Sequence, residues 1–244
     1  MRLLFFALLL PLTALAQPSG VQTCAACHGA QGEGNAANGT PRIAGQPQAY
    51  LERQLAAYAD GRRPNQVMTP LAQQLGPEQR NELSAYYSKM RVRPAKPAAS
   101  AAANARGRTI ATRGDERLNV QGCENCHGPG GTGFGNVNPY LAGLDRHYLE
   151  TALGEWRSGS RKTDPSQQMN QIAKNLGAAD IKALAAYYAS HSPPQSATAR
   201  VQKPGSLAPR EKTRPGTATQ SREGTDVTGV EPSGSQGPGG AGAK

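Results

Sequence analysis

The sequence contains one five-residue pattern twice: two cysteines separated by two residues, with a histidine directly after the second. The first copy is Cys24-Ala25-Ala26-Cys27-His28, and the second is Cys123-Glu124-Asn125-Cys126-His127. C-x-x-C-H is the attachment signature of a c-type haem, in which both thiols bind the porphyrin and the imidazole binds its iron. On a helical turn the three side chains share one face. The sequence therefore predicts two covalently bound haem c groups that use all four cysteines of the chain.

Disulfide bonds and a zinc ribbon are the alternative uses of four cysteines. A disulfide framework does not require a histidine after each cysteine pair, and both pairs have one. The pairs also lie much farther apart in the chain than the ligand pairs of a zinc ribbon. Haem attachment is therefore the favoured interpretation.

Residues 1–16 have the pattern of a secretory signal peptide. Arg2 precedes an apolar run from Leu3 to Leu10, and Ala14-Leu15-Ala16 has the small residues of a cleavage site. The run is too short to span a bilayer, although a retained membrane anchor is the alternative. We expect cleavage near Ala16 and a mature protein in the periplasm, an oxidising compartment in which haem c is attached.

The chain carries a net charge of +10 without a concentrated basic run. Such a charge suits transient docking to acidic redox partners, or peripheral association with an anionic membrane surface. A solvated surface without an electrostatic role is the other interpretation. Nucleic acid is not expected as a partner, because basic clusters with interleaved aromatic residues are missing from the sequence.

The rest of the chain repeats together with the haem motif. Matched pairs in the same order include Pro41 and Pro139, Tyr50 and Tyr148, Met68 and Met169, and Leu83 and Leu184. We therefore predict two related domains, residues 17–92 and 101–192, joined by a proline- and alanine-rich linker at 93–100. Residues 193–244 are rich in Pro, Gly, Ser and Thr and contain few large apolar residues, so we expect a disordered tail.

Each repeat has apolar residues at helical spacing and no segment with convincing strand alternation. We therefore predict an all-α fold. The expected helices are 47–60 and 77–90 in the first domain, and 101–113, 145–157 and 178–189 in the second. Proline at the start and glycine just after the end mark the first of these.

A haem iron that is bound by one histidine has a sixth position, which holds a second ligand or stays open. Met68 and Met169 occupy equivalent places in the two repeats, and we expect both in loops between helices. Met90 has no methionine counterpart. A methionine in the core is the alternative role for such residues.

Histidine is the rival sixth ligand, but His147 and His191 have no counterparts in the first repeat. A symmetric pair of additional histidine ligands is therefore not available. We predict that His28 and Met68 bind the first iron, and that His127 and Met169 bind the second. With both axial positions filled, each iron exchanges electrons without binding a substrate.

At this point the sequence resembles the dihaem cytochrome c4 family. The resemblance covers about residues 20–190. It is carried by both haem motifs together with segments 41–46, 50–51, 68–72 and 83–87 of the first repeat, and 138–143, 169–173 and 184–188 of the second.

The resemblance implies two class I cytochrome c domains about a pseudo-twofold axis, with their haem edges close together. It further implies a periplasmic carrier, often membrane-associated, that moves electrons from a quinol-oxidising cytochrome complex to a terminal oxidase. By the same analogy the carbonyls of Pro41 and Pro139 accept hydrogen bonds from Nδ1 of His28 and His127.

Three features of the chain depart from this family. Few mature residues precede Cys24, which leaves the packing of the first helix against the 77–90 helix open. Gln46 is replaced by Leu144 in the second repeat, so the surroundings of the two haems are expected to differ in polarity. The long tail is not part of the family pattern.

Three classes of function remain after this comparison. The favoured one is an electron carrier between respiratory complexes. The second is an electron-accepting cytochrome subunit of a periplasmic dehydrogenase. The third is an enzyme, such as a dihaem peroxidase or a thiosulfate-oxidising cytochrome, which is disfavoured because both sixth positions have a methionine candidate and no cysteine is left over.

Overall fold

The structure is a computed structural model that describes residues 17–91 and 105–194. The predicted signal peptide, the 93–100 linker, the start of the second domain at 101–104 and tail residues 195–244 lie outside the described residues. In the first half the helices are α1 (Val21–His28), α2 (Gln48–Ala59), α3 (Met68–Gln73) and α4 (Pro77–Lys89). In the second half they are α5 (Ala105–Arg113), α6 (Glu124–His127), α7 (Arg146–Ser158), α8 (Gln168–Asn175) and α9 (Ala178–Ala189).

The all-α prediction is confirmed, with one small addition. The two-residue strands β1 (Gly114–Asp115) and β2 (Val120–Gln121) pair in antiparallel register. They close a tight turn ahead of the second haem motif and are too short to show an alternating pattern in the sequence. Among the described residues, no helix has the length and apolar character needed to cross a bilayer.

In the first half, α1 packs against α4 although few residues precede the haem motif. Val21 is buried together with Leu83 and Tyr87. The Tyr87 hydroxyl also donates a hydrogen bond to the Val21 carbonyl at 3.3 Å. The short N-terminal segment is therefore sufficient for this helix contact.

In the second half, α5 crosses α9 at very close range. A Cβ atom at Gly107 would lie 2.2 Å from the carbonyl oxygen of Ala183, so only glycine fits at the crossing. Ile110, one turn farther along α5, is fully buried in the core of this half. The N-terminal helix of the second half is thus held by both packing and close backbone approach.

Local capping explains why the observed helices begin and end near their predicted bounds. Asp145, predicted as the first residue of α7, is its N-cap, and its carboxylate accepts a hydrogen bond from the Tyr148 amide at 2.9 Å. Gly159 ends the helix with φ = 76°, in the left-handed region where glycine has no steric cost. Pro47 likewise precedes α2 rather than beginning it.

Hydrogen bonds from Gln46, from Tyr140 and from the backbone connect the two halves. The side-chain Nε2 of Gln46 donates to the backbone carbonyl of Tyr140 at 3.1 Å, and its Oε1 accepts from the backbone N–H of Tyr140 at 3.2 Å. The Tyr140 hydroxyl donates in return to the Ala44 carbonyl at 2.8 Å. Farther along, the Lys162 amide donates to the Arg62 carbonyl at 2.7 Å. Segments from both repeats thus form one shared interface.

Replacing Gln46 with leucine, the residue found at the equivalent position 144, should weaken this interface. The substitution removes both hydrogen bonds to the Tyr140 backbone at a position that is only 3% exposed. We expect the free energy of unfolding of the holoprotein to fall by about 1 to 3 kcal/mol. Chemical denaturation followed by circular dichroism measures this change.

Gln74→Leu is the matched control, because Gln74 is exposed at the end of α3. It should change the free energy of unfolding by less than about 0.5 kcal/mol. Equal effects of the two substitutions would contradict the interface role of Gln46.

Candidate haem-binding sites

In the second half, the predicted site residues line one cavity of about 330 Å³. Cys123, Cys126, His127, Pro139 and Met169 all contribute to its wall. The remaining wall is largely apolar. Its apolar residues include Leu141, Leu144, Leu149, Ile172, Leu176 and Leu184. The fold therefore brings together, around one apolar space, residues that are far apart in the sequence.

Each histidine of the haem motifs is held by a carbonyl oxygen. His28 Nδ1 lies 2.8 Å from the Pro41 carbonyl, and His127 Nδ1 lies 2.8 Å from the Pro139 carbonyl. Because a carbonyl can only accept, Nδ1 carries the hydrogen in both rings. Nε2 of each ring therefore keeps a lone pair that can bind a metal ion.

Burial favours the neutral form of both imidazoles. It lowers the pKa of His28 and of His127, and the hydrogen bond to the proline carbonyl opposes this effect only in part. For His127 the positive charge of Arg161 lowers the pKa further. A neutral ring with a fixed tautomer is the form in which histidine binds a metal ion.

A glycine directly after each histidine turns the chain back toward the site. Gly128 has φ = 74°, and a Cβ atom there would lie 2.5 Å from the Gly133 carbonyl oxygen. The Gly133 amide in turn donates to the His127 carbonyl at 2.6 Å. The return of the chain places Pro139 next to the imidazole.

All four cysteines are free of disulfide bonds. Burial raises the pKa of the Cys123 thiol to about 11 and also raises that of Cys24. Redox-active dithiols have thiol pKa values below the ordinary range. The first cysteine of each pair therefore lacks the lowered thiol pKa of a thiol–disulfide exchange site.

The methionines differ from the prediction in their local structure. We expected Met68 and Met169 in loops, but Met68 is the first residue of α3 and Met169 the second residue of α8. The two helices are only six and eight residues long. The periodic pattern alone therefore did not reveal them.

The two methionine helices are capped by different residue types. Asn65 Oδ1 accepts from the Met68 amide at 2.9 Å, whereas Asp164 Oδ2 accepts from the Met169 amide at 2.9 Å. Partial burial raises the pKa of the Asp164 carboxyl, but the bonds from Met169 and Ser166 outweigh it, so that this pKa lies below its ordinary value. The second site thus has a fixed negative charge where the first has a neutral amide.

The other methionine and histidine candidates have different surroundings. Met90 follows α4 and packs against the core of the first half. His191 Nδ1 donates to the Tyr187 carbonyl at 2.7 Å, and its ring lies against the Tyr187 ring. His147 is exposed on α7, next to Gly39 of the first half.

The sequence prediction missed a buried polar cluster between the two halves. Arg63 and Arg161 are each only 3% exposed. Arg63 pairs with Glu155 of the second half at 3.0 Å. Arg161 donates to Gln54 at 2.6 Å and to Tyr50 at 3.2 Å, both of the first half.

Each arginine of this cluster also lies over an aromatic ring of its own half. The guanidinium carbon of Arg63 is 4.9 Å from the Tyr58 ring centroid, and that of Arg161 is 4.5 Å from the Trp156 centroid. Both arginines follow a helix-ending glycine by two residues, Gly61 and Gly159. This shared position in the two repeats is the sequence signal that marks them.

The sequence profile of the family described as Cytochrome c matches residues 19–91 and 105–192. The chain is a dihaem member of the cytochrome c family. Cytochrome c4 of Pseudomonas aeruginosa (strain PAO1) is 34% identical over 74% of this chain and 93% of its own length. The solved structure of reduced cytochrome c4 from Pseudomonas stutzeri is 28% identical, with a TM-score of 0.66 over 72% of this chain and 96% of that chain.

Other similar proteins are connected by name with thiosulfate dehydrogenase. The thiosulfate dehydrogenase electron acceptor of Thiomonas intermedia (strain K12) is 41% identical over 78% of this chain and 89% of its own length. The protein of the same name from Stutzerimonas stutzeri (strain A1501) is 39% identical over 68% and 78%. The solved thiosulfate dehydrogenase (TsdBA) of Marichromatium purpuratum is 40% identical with a TM-score of 0.63, over 69% of this cytochrome but only 36% of that chain.

This cytochrome carries two haem c groups and transfers electrons rather than catalysing a reaction of its own. The donor sets described above fit the group, because each half offers paired free cysteines and a neutral imidazole with an available Nε2. Haem c supplies a one-electron redox centre. We propose that Cys24, Cys27, Cys123 and Cys126 hold it covalently, and that His28, Met68, His127 and Met169 fill the axial positions.

Methionine ligation predicts a clear spectroscopic result. Oxidised haem with His/Met ligation has a near-infrared charge-transfer band, and each half should contribute about half of its intensity. Met68→Ala and Met169→Ala should therefore each remove about half of the band, and the double variant should lose it. Absorption spectroscopy of the oxidised holoproteins measures the loss.

Met90→Ala is the control for methionine substitution, since Met90 packs in the core of the first half. It should leave the band intact. A band that survives both Met68→Ala and Met169→Ala would refute the axial assignment.

Proposed function

We propose that this cytochrome accepts electrons from a periplasmic dehydrogenase, with a thiosulfate dehydrogenase as the donor. The observation that carries this proposal is the match to two proteins named thiosulfate dehydrogenase electron acceptor, at 41% and 39% identity. Cytochrome c4 of P. aeruginosa, at 34% identity, is the more distant relative.

The TsdBA chain adds independent support. The two chains are 40% identical over 69% of this cytochrome. The matched region makes up only 36% of the TsdBA chain. This partial match supports an electron-accepting role for the matched residues beside a thiosulfate-oxidising enzyme.

The proposed coordination fits such a partner. With a histidine and a methionine on each iron, neither half has an open position for thiosulfate. Each half accepts one electron at a time, and the chain can store two. The signal-peptide pattern of residues 1–16, with cleavage near Ala16, supports a periplasmic location for the exchange.

A second candidate function is transfer from a quinol-oxidising cytochrome complex to a terminal oxidase. It is favoured by the similarity to cytochrome c4, which covers 93% of the P. aeruginosa protein and 96% of the P. stutzeri chain. Both candidates use the same redox chemistry and differ in the electron donor.

Rapid mixing separates the two candidates. The oxidised holoprotein is mixed with purified thiosulfate dehydrogenase and thiosulfate, and reduction is followed in the haem α-band. We expect reduction at least about tenfold faster than that of P. aeruginosa cytochrome c4, since about 1.4 kcal/mol of docking free energy gives this ratio. Thiosulfate without the dehydrogenase should give no reduction on this timescale.

Reduction no faster than that of cytochrome c4 would contradict the proposed donor. If a quinol-oxidising complex then reduced this cytochrome efficiently, the second candidate would replace the first.

A further inference from the structure

The cavity of the second half is completed by a helix of the first half. Tyr50, Arg53 and Gln54 of α2 line it together with Cys126 and Met169. Tyr50 and Arg53 are three residues apart, so they lie on one face of the helix. The surroundings of the second haem therefore include a cation from the first half.

Three other polar residues of this wall already take part in hydrogen bonds. Tyr50 and Gln54 both accept hydrogen bonds from Arg161. Asp164 is the acidic residue of the cavity wall, and its carboxylate accepts hydrogen bonds from Met169 and Ser166. These groups hold the wall together and do not neutralise Arg53.

Arg53 itself is half-buried at the cavity. Within residues 17–91 and 105–194, its guanidinium makes no hydrogen bond or ion pair. A half-buried guanidinium beside a largely apolar space is stabilised by a nearby anion. Haem c brings two propionate carboxylates, the anions that a guanidinium binds most strongly.

The repeat provides an internal comparison. Tyr50 and Leu51 correspond to Tyr148 and Leu149, so Arg53 corresponds to Thr151, which is exposed on α7. The first half thus presents a cation at this helical position, and the second half presents a neutral side chain. The two haems are consequently in unequal electrostatic surroundings.

We propose that Arg53, a residue of the first half, pairs with a propionate of the haem in the second half. Its positive charge makes that haem easier to reduce. A positive charge beside the group favours the reduced form, which carries one positive charge fewer than the oxidised form. Thr151 gives the first haem no such charge. This proposal rests on the two haems and does not depend on the identity of the electron donor.

Arg53→Gln in the full-length holoprotein tests the proposal. The reduction equilibrium of each haem is measured by potentiometric titration, with the halves distinguished by their haem methyl NMR signals. We expect the equilibrium constant of the second haem to fall about three- to tenfold, which is about 28 to 59 mV for a one-electron couple. The first haem should change by less than about 1.5-fold, because the lost charge faces the other cavity.

Three further variants sharpen the experiment. Arg53→Lys keeps the charge and should retain most of the effect. Thr151→Arg adds the charge at the equivalent exposed position and should make the first haem easier to reduce by a similar factor. Arg108→Gln removes an exposed cation of the second half that does not line the cavity, and it should leave both haems within about 1.5-fold.

An unchanged second haem in Arg53→Gln, with normal haem content, would overturn the proposal. So would an effect that Arg108→Gln reproduces, because any nearby cation would then suffice. If Arg53→Gln does not assemble with haem, Arg53→Met, which keeps the apolar stem and removes the charge, takes its place: an unchanged second haem in that variant refutes the role of Arg53.

Discussion

The hydrogen bond between a histidine Nδ1 and a proline carbonyl is the constraint on which both sites depend. It fixes the tautomer of His28 and of His127, and it directs Nε2 away from the protein backbone. Three local elements bring the histidine and the proline carbonyl together. They are the turn at the glycine after the histidine, the loop that returns to the proline, and the haem-motif helix. Without this hydrogen bond a buried neutral imidazole would have no preferred orientation.

Duplication gave the chain two such sites, and the interface between the halves made them different. Gln46 faces Tyr140, whereas its counterpart Leu144 lies in an apolar core. Arg63 and Arg161 occupy equivalent positions in the two repeats, yet both form ion pairs with the same carboxylate, that of Glu155. The two related halves thus place different polar and charged groups at equivalent positions.

Much of the fold could be predicted because its signals are local. Pro47 and Asp145 mark helix starts within one residue of those observed, since capping depends on a few neighbouring residues. The helices at Met68 and Met169 were missed because they span only six and eight residues, too few to show a helical periodicity in the sequence. The Arg63–Glu155 and Arg161–Gln54 contacts could not be predicted, because they depend on how two folded halves meet. The axial ligands stay a prediction.

The buried arginine cluster also limits how such a chain can be shortened. Arg161 belongs to the second half, but Gln54 and Tyr50 that bind it belong to the first. A truncation between the halves would leave that guanidinium beside an apolar surface without its two acceptors. Each half thus supplies polar groups that the other half needs, and a shortened chain would have to replace them.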